Sequence, residues 1–495
     1  MQQQPNDIDV LLVGSGLGSL TAACLLAAEG LKVKVLEQNY LVGGCTSSYW
    51  RKGFVFEAGA TTVVGLDEAM PLRFLLQKTG ISLPDLVPLD LPMLVHLPDG
   101  QLINKYQNLQ HWITEAQRAF PETSPTAQAQ FWEFCYKISE FVWQTSTAQR
   151  HFPPSSLRDL WPMLSNIRWE QLRYGAYSFR TTDWLLKRYG LDKSSRFVRY
   201  INEQLLITAQ NHAAEVNVLF GATALCYTNY TNYYVRGGLI NLVMPLVRYI
   251  EQRGGQVQVR EKVLNIEKQN TGYQIFTNKN TYQARFVVSG IPANNIADIY
   301  PNNPRQNALR KALFPSEKLN SAFQMGIAFR RKHHFEAIHH QIHLPEQLPH
   351  LDSKSIFVSL SHPADLTRSD VPDVVIASVS THIPNPAAQA AFDKTETENQ
   401  ILALLEKRGF LRREDVLYTH SSSAKSWEKW TVRAFGFVGG YPQLATVRPW
   451  QMLDARLDGH GAYLCGDTAY PGQGVPGVVL SGLIAYEKLK TDWLK

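Results

Sequence analysis

The chain has 495 residues, of which 44% are hydrophobic, 19% charged and 11% aromatic. This composition is typical of a folded globular protein and excludes an intrinsically disordered chain. The formal net charge is +6 and the basic residues are not clustered in a tail or stripe, so nucleic acid is not an expected partner. The length exceeds what one hydrophobic core usually supports, which predicts two domains or one large domain with an insertion.

The cysteine and histidine content argues against disulfides and metal sites. The five cysteines are scattered and odd in number, with no C-x-x-C pair, which favours a reduced, cytoplasmic setting. One stretch is rich in histidine, with His333, His334, His339, His340 and His343. No cysteine or acid completes a zinc ligand set beside these histidines, so no metal is predicted.

The first forty residues predict a strand, a glycine-rich loop, a helix and a second strand. Residues 9–13 form the first apolar run, residues 14–19 read GSGLGS, and residues 20–29 have the pattern of a helix. Residues 32–37 form the second apolar run, which ends in Glu37. This βαβ arrangement is the dinucleotide-binding fingerprint, whereas an ordinary strand–turn–helix is the alternative interpretation.

Each position of this fingerprint has a physical role. Gly14 is expected to make the tight turn, and Gly16 to let the backbone approach a diphosphate at the helix N-terminus. Glu37, 23 positions after Gly14, is placed to accept hydrogen bonds from a ribose. The third glycine of the pattern is replaced by Ser19, which is small enough for close packing. These residues alone do not decide whether the bound dinucleotide is NAD or FAD.

Two later segments predict that the same fold resumes after a long insertion. Residues 239–250 have the pattern of an amphipathic helix between two Gly-Gly pairs, followed by strands at 256–259 and 263–266. Near the end, an apolar strand at 462–465 leads into GDTAYPGQGVPGVVLSG and a helix from about residue 475.

These segments together resemble the FAD-dependent amine-oxidase-like superfamily, and more narrowly the phytoene desaturase and carotenoid isomerase family. The resemblance implies an α/β fold with a discontinuous Rossmann-type FAD-binding domain. Its second, α+β domain would bind substrate on an antiparallel sheet under a helical cap, with strands at 321–330, 355–366 and 373–382. The predicted FAD-binding domain comprises residues 1–75, 233–300 and 441–495, and the substrate domain residues 76–232 and 301–440.

The resemblance also implies which residues bind FAD. Those on the diphosphate, ribose, ribityl and adenine sides would be Gly14, Gly16, Gly18, Ser19, Glu37, Gly43, Gly44, Arg51 and the backbone of Val263. At the far end, Gly466 and Asp467 would bind the ribityl region, and Gly474 and Val475 would begin a helix facing the flavin ring. Such a helix N-terminus stabilises the negative charge of a reduced flavin. A plain Gly/Pro turn before a C-terminal helix is the alternative.

The insertion predicts how the protein meets its substrate. Residues 151–210 contain nine Arg/Lys against five Asp/Glu, with Trp161, Trp169 and Trp184 among them. This mixture is typical of a surface that contacts anionic lipid, and a solvated helical cap with a buried aromatic seam is an equal alternative. The beginning of the chain lacks a signal-peptide pattern, and no apolar run is long enough to span a bilayer. Any membrane contact is therefore expected to be peripheral.

The expected reaction is FAD-dependent oxidoreduction of a long apolar polyene, by carotenoid desaturation or cis–trans isomerisation. A retinol-saturase-like polyene reductase, a flavin amine oxidase and a non-enzymatic lipid-binding protein are the alternatives. An amine oxidase usually needs an aromatic pair facing the flavin, and Phe435, Phe437 and Tyr441 could be mistaken for such a pair. No side chain is identified as catalytic, because hydride transfer from an allylic carbon to a flavin demands no general base.

Overall fold

The computed structural model describes residues 8–83, 85–165, 173–349, 351 and 353–494, so the predicted interfacial Trp169 lies outside the described residues. The strands are β1 (Val10–Val13), β2 (Val33–Leu36), β3 (Ser48–Arg51), β4 (Phe54–Glu57), β5 (Leu86–Pro88), β6 (Met93–His96), β7 (Leu102–Lys105), β8 (Tyr233–Val235), β9 (Gln256–Gln258), β10 (Val263–Lys268), β11 (Tyr273–Thr277), β12 (Thr281–Ala284), β13 (Phe286–Ser289), β14 (Asn320–Arg330), β15 (His339–His343), β16 (Ser355–Leu360), β17 (Val374–Pro384), β18 (Val416–Ser422) and β19 (Ala462–Leu464).

Helices alternate with these strands in the first part of the chain and form a cap further on. The helices are α1 (Leu17–Ala28), α2 (Pro71–Thr79), α3 (Leu109–Ala119), α4 (Pro125–Ala148), α5 (Leu157–Ser165), α6 (Thr182–Arg188), α7 (Ser195–Ala209), α8 (Val218–Leu225), α9 (Ile240–Gln252), α10 (Ala293–Ile299), α11 (Gln306–Ala312), α12 (Lys394–Lys407), α13 (Ala424–Thr431) and α14 (Val475–Trp493).

A parallel sheet with the order β19-β13-β1-β2-β9 carries the glycine-rich loop. Strand β1 pairs in parallel with both β2 and β13, and every residue of β1 is buried. Strands covered on both faces are expected to be apolar throughout, as VLLV is. Helix α1 is also buried along almost its whole length, because it lies between this sheet and α14. The predicted βαβ unit is therefore present.

Helix α1 begins three residues earlier than the sequence pattern predicted. Gly16 is its N-cap, with φ −61° and ψ 161°, and the Leu20 N–H donates to the Gly16 carbonyl at 3.0 Å. Gly18 and Ser19 therefore belong to the first turn of the helix rather than to the loop. The first hydrogen bond within α1 is the one from Leu20, so the N–H groups of the preceding turn have no acceptor inside the helix and remain available to a ligand.

A second sheet, with the order β18-β14-β17-β16-β15-β6-β7, is antiparallel except for the β15–β6 pair. Strands β14 and β17 pair along their full eleven-residue length. The predicted strand at 355–366 is shorter than expected and ends at Leu360 as β16. Helices α3, α4, α7 and α8 pack with β6 and β7 through a cluster that includes Trp112, Trp132 and Tyr200. The result is the expected antiparallel sheet with a helical cap.

None of the helices within the described ranges combines the length and the apolar character that crossing a bilayer requires.

Candidate cofactor and substrate site

The glycine-rich loop and the Gly43-Gly44 segment face each other at the carboxyl end of the parallel sheet. Gly14 has a φ of +87° and Gly43 a φ of +98°, a conformation that side chains disfavour. The Gly43 N–H donates to the Ser15 carbonyl at 3.0 Å, and a Cβ on Gly44 would lie 3.5 Å from the Cα of Gly16. Two segments of bare backbone thus meet beside the N-terminus of α1.

Gly16 and Gly18, at the N-terminus of α1, differ in how much space surrounds them. A Cβ on Gly16 would meet no atom within 4 Å, whereas a Cβ on Gly18 would lie 2.9 Å from the Val478 carbonyl oxygen. Gly16 therefore borders open space where a ligand can approach the helix N-terminus. Gly18 permits the close packing of α1 against the segment of α14 that contains Val478.

Glu37, at the end of β2, is held by the loop itself. One carboxylate oxygen accepts the Ser15 N–H at 2.9 Å and the Ser15 hydroxyl at 2.6 Å. The other accepts the Asn39 N–H at 2.8 Å. These bonds fix the carboxylate at the cavity wall, and its two oxygens retain lone-pair capacity for a further donor.

A cavity of about 590 Å³, here called the first cavity, brings together most of the predicted cofactor-binding positions. They are Gly14, Gly16, Gly18, Glu37, Gly43, Gly44, Arg51, Val263, Gly466 and Asp467. Ser19 is not among the described lining residues; its hydroxyl lies 4.0 Å from the Cys465 thiol, beneath α1. Gly290 packs closely beside it, since a Cβ there would lie 1.8 Å from the Ser19 Oγ. Ser19 thus serves close helix–sheet packing.

Asp467 is paired with an arginine that the sequence analysis did not identify. The Arg433 guanidinium donates to the Asp467 carboxylate at 2.8 Å, and its Nε donates to the Phe437 carbonyl at the same distance. Arg433 also lines the first cavity. Nothing in the local sequence WTVRAFGF distinguishes this arginine from a surface arginine, because its partner lies 34 residues further along the chain.

A second cavity, of about 640 Å³, adjoins the first. The residues that line both are Cys45, Thr46, Gln324, Trp427, Asp467 and Val478. Gly474 and Val475, at the start of α14, line the second cavity only. Its remaining wall is rich in apolar and aromatic side chains, among them Phe141, Trp143, Phe220, Tyr230 and Phe357. Among the described lining residues, Asp467 is the one Asp, Glu, Lys or Arg, and it is already paired.

The second cavity also contains a histidine that the sequence analysis did not single out. His382, on β17, lines this cavity, and burial together with the nearby His212 lowers the pKa of its imidazole to about 4. The ring is therefore neutral at neutral pH. In the sequence, His382 is one polar residue of an alternating strand, and the pattern does not reveal which face of the strand meets a cavity.

The candidate aromatic pair of an amine oxidase lies elsewhere. Phe437 and Tyr441 stack on each other with centroids 6.1 Å apart, within a buried cluster. The Tyr441 hydroxyl donates to the Asn294 side-chain oxygen at 2.6 Å, and Phe435 is 37% exposed. As far as the described residues go, none of these three aromatic side chains lines either cavity.

The histidine-rich stretch forms part of the antiparallel sheet. His339, His340 and His343 are buried on β15, and the His340 Nδ1 lies 3.1 Å from the His96 Nε2. Burial lowers the pKa of His339 to about 4 and that of His340 and His343 to about 3, so all three are neutral. Across the described ranges, no group of three or more His, Cys, Asp or Glu is arranged to hold a metal ion.

Residues 20–487 match the family of flavin containing amine oxidoreductases. The chain belongs to this family. FAD is therefore its cofactor, and the protein is a flavin-dependent oxidoreductase of the amine oxidase superfamily. The first cavity suits this cofactor, because the open face of Gly16 and the bare Gly43-Gly44 segment leave main-chain N–H groups accessible to a diphosphate.

Several relatives are similar along much of the chain. The chloroplastic prolycopene isomerase of Daucus carota is 21% identical, over 98% of this chain and 80% of the relative. The all-trans-retinol 13,14-reductase of Danio rerio is 24% identical, over 57% of this chain and 46% of the relative. Cyclohexylamine oxidase from Brevibacterium oxydans shares the fold, with a TM-score of 0.63 at 15% identity, over 99% of this chain and 100% of that structure.

Proposed function

We propose that the first cavity holds the adenosine, diphosphate and ribityl parts of FAD and that the flavin ring lies where the two cavities meet. The α1 N-terminus at Gly16 would receive the diphosphate, and Glu37 the ribose. The paired Asp467 and Arg433 would contact the ribityl side. We extend the proposal to the domain boundaries, with residues 1–75, 233–300 and 441–495 forming the FAD-binding domain.

We infer that the second cavity binds a long apolar polyene, which the protein desaturates or isomerises. The observation that carries this inference is the chemistry of the cavity wall. Aromatic and aliphatic side chains predominate, and the one charged lining residue in the described chain is neutralised by Arg433. Such a wall favours an uncharged apolar ligand and offers an ammonium group no free carboxylate.

The chain's own residues would act by binding and orientation. FAD supplies two-electron chemistry when bound. The N-terminus of α14, capped by Gly474, points toward the second cavity and favours negative charge beside it. The apolar wall excludes water and thus protects a delocalised cationic or reduced state of the substrate.

Three alternatives differ in what they require of this site. A polyene reductase of the retinol type would use the same cavity, and the Danio rerio relative supports it. An amine oxidase is favoured by the shared fold of cyclohexylamine oxidase, but Phe437 and Tyr441 do not supply the aromatic pair. If the protein only binds lipid and has no activity, adding a polyene would not change the flavin.

Turnover of defined polyenes by the FAD-loaded protein tests the proposal. Acyclic carotenoids of cis and trans configuration and all-trans-retinol are supplied in liposomes, and the extracted pigments are separated. A product with more double bonds indicates desaturation, and a changed configuration with the same hydrogen count indicates isomerisation. A saturated product indicates the reductase. Peroxide formed on addition of amines, without polyene turnover, would contradict the proposal.

We further propose that the protein meets its substrate at a membrane surface, through α5 and the residues beside it. Leu157, Leu160, Trp161 and Leu164 follow the i, i+3, i+4, i+7 spacing of one helix face, and they are 84%, 44%, 79% and 63% exposed. An exposed apolar stripe of this size is unusual on a soluble surface and is typical of a helix lying in a membrane interface.

The opposite face of α5 is hydrogen-bonded to the rest of the protein. Asp159 is fully buried and accepts two hydrogen bonds from the Arg456 guanidinium, at 2.6 and 2.9 Å. Gln149, which lines the second cavity, donates to the Met163 carbonyl at 3.2 Å. The stripe therefore has a fixed orientation and lies next to the wall of the substrate cavity.

A second exposed aromatic group lies at the edge of the second cavity. Phe179 and Trp450 are 57% and 45% exposed, with ring centroids 5.5 Å apart, and Trp450 also lines the second cavity. A residue that is both exposed and lines the cavity marks an opening. The Arg448 guanidinium lies 4.8 Å from the Phe179 ring centroid, where it can meet lipid phosphate. An apolar polyene could thus pass from lipid into the cavity.

Liposome flotation with matched leucine variants tests the membrane proposal. Leu157→Glu should weaken binding about tenfold, because burying one leucine contributes roughly 1.5–3 kcal/mol. Leu366→Glu is the control, since Leu366 is 83% exposed and belongs to the loop between β16 and β17 rather than to α5. Equal flotation of the two variants, or no flotation of the unaltered protein with anionic lipid, would contradict the proposal.

A further inference from the structure

Three neutral polar side chains converge at one place in the second cavity. Gln210, His382 and Gln473 all line this cavity, and the Gln210 amide nitrogen lies 3.3 Å from the His382 Nε2. A Cβ on Gly439 would lie 2.6 Å from that amide nitrogen and 2.9 Å from the Gln473 side-chain oxygen. Both amides therefore approach the same glycine, which has a φ of +81°. We call these three side chains the polar cluster.

Gln210 is held in place by its main chain, and its side chain is only partly satisfied. It follows α7 in the left-handed conformation, with a φ of +62°, and its carbonyl accepts the Asn320 amide at 2.9 Å. Gln210 is 8% exposed, and its side-chain oxygen has no hydrogen-bond partner among the described residues. Even if the amide is rotated by 180°, one polar atom faces His382 and the other remains unpaired.

A buried amide oxygen without a hydrogen-bond donor destabilises the folded protein. In a ligand cavity, a few such polar groups are placed to form hydrogen bonds with the bound ligand. Gln473 does not supply the missing hydrogen bond to the Gln210 oxygen, because the Gln473 amide donates to the Thr208 carbonyl instead. Burial lowers the pKa of His382 to about 4, so the imidazole can donate or accept a hydrogen bond without carrying charge. The cluster thus offers donors and acceptors but no charge.

We propose that the polar cluster binds a neutral oxygen group, a hydroxyl or a carbonyl, carried by the polyene. A carboxylate would find no cation in this cluster and an ammonium no anion, whereas a hydroxyl can both donate to and accept from it. The substrate is therefore an oxygenated polyene rather than a pure hydrocarbon. This inference rests on the proposed function, because it concerns the same cavity.

Equilibrium binding to the FAD-loaded protein tests the proposal. Quenching of protein fluorescence is measured with three ligands that share one polyene chain: all-trans-retinol, its deoxy hydrocarbon and its carboxylic acid. The alcohol should bind about tenfold more tightly than the hydrocarbon, and the acid more weakly than the alcohol. Gln210→Leu should weaken binding of the alcohol about tenfold and leave the hydrocarbon unchanged.

Gln149→Leu is the matched control, since Gln149 lines the same cavity but its amide is bonded to the Met163 carbonyl. It should not change the preference for the alcohol. Equal binding of alcohol and hydrocarbon by the unaltered protein would overturn the oxygen-binding site and leave the polyene function intact. A Gln210→Leu variant with an altered flavin spectrum and an unchanged preference would overturn it too, because the cluster would then face the flavin. Binding of none of the three ligands would instead contradict the proposed function.

Discussion

Gly16→Ala should separate FAD binding from folding. The added Cβ meets no protein atom within 4 Å, and the φ of −61° suits alanine. Alanine is a poorer N-cap than glycine by up to about 1 kcal/mol. It also restricts the unfolded chain, which offsets this loss by roughly 0.4–1 kcal/mol. The free energy of unfolding of the FAD-free protein should therefore change by less than about 1 kcal/mol.

The same methyl group would occupy the space through which a diphosphate reaches the α1 N-terminus. Loss of two charge-assisted hydrogen bonds, at about 1.5 kcal/mol each, amounts to about 3 kcal/mol and weakens FAD binding roughly 100-fold. Flavin fluorescence titration measures the dissociation constant, and urea unfolding of the FAD-free protein measures stability. Unchanged FAD affinity in a folded variant would refute the proposed position of the diphosphate.

Gly18→Ala is the informative comparison for that experiment. Its Cβ would lie 2.9 Å from the Val478 carbonyl oxygen and 3.2 Å from the Gly466 nitrogen, both main-chain atoms. This variant should lose roughly 1–3 kcal/mol of stability through overpacking, and any loss of flavin should follow from that.

Three further variants test other parts of the structure. Arg456→Met removes the guanidinium from the buried Asp159 carboxylate, which keeps the Ser155 and Ser156 N–H groups and the nearby His151 ring, and should reduce stability by about 3–5 kcal/mol in urea unfolding; a change below about 1 kcal/mol would refute this. Burial lowers the pKa of Lys105 to about 7, against about 10.4 in the unfolded chain, so the unfolded state binds more protons between these values. Stability should therefore rise with pH from 7 to 10 by up to about 1.4 kcal/mol per unit, and Lys105→Met should remove that slope; parallel pH profiles of the two proteins would contradict it. Glu37→Gln should weaken FAD binding about tenfold, because the ribose and Ser15 both lose a charged acceptor, and unchanged affinity would exclude Glu37 as the ribose-binding residue.

Much of the parallel half of the fold could be predicted because its signals are local. The spacing from Gly14 to Glu37 and the apolar run of β1 lie within one stretch of sequence, and the structure has the predicted strands and helix there. The Ser19 side chain lies beneath α1, and a contact of the Ser19 main chain with the diphosphate stays a prediction. Helix α1 begins at Leu17, which turns Ser19 toward Cys465 and the sheet. A one-turn shift of a helix start is hard to predict when both loop and helix contain glycine.

The residues that the sequence analysis missed owe their positions to distant parts of the chain. Arg433 reaches the cofactor side by pairing with Asp467, and Gln210 meets His382 across 172 positions. The pairing of β14 with β17 sets which face of β17 is turned to the cavity, and no local pattern records that register. The aromatic residues of the insertion left a lipid-contacting surface and a cap with a buried aromatic seam as equal alternatives, and in the structure Trp161 is exposed while Trp112 is buried.

The most direct test of the central claim is turnover of a polyene by the FAD-loaded protein, observed from both the flavin and the pigment. The visible spectrum is recorded without oxygen before and after a polyene is added in liposomes, and the pigments are then extracted and separated. We expect a new polyene product, formed with bleaching of the flavin in desaturation or only after prior flavin reduction in isomerisation. A bound flavin that leaves every polyene unchanged would contradict the proposed substrate class.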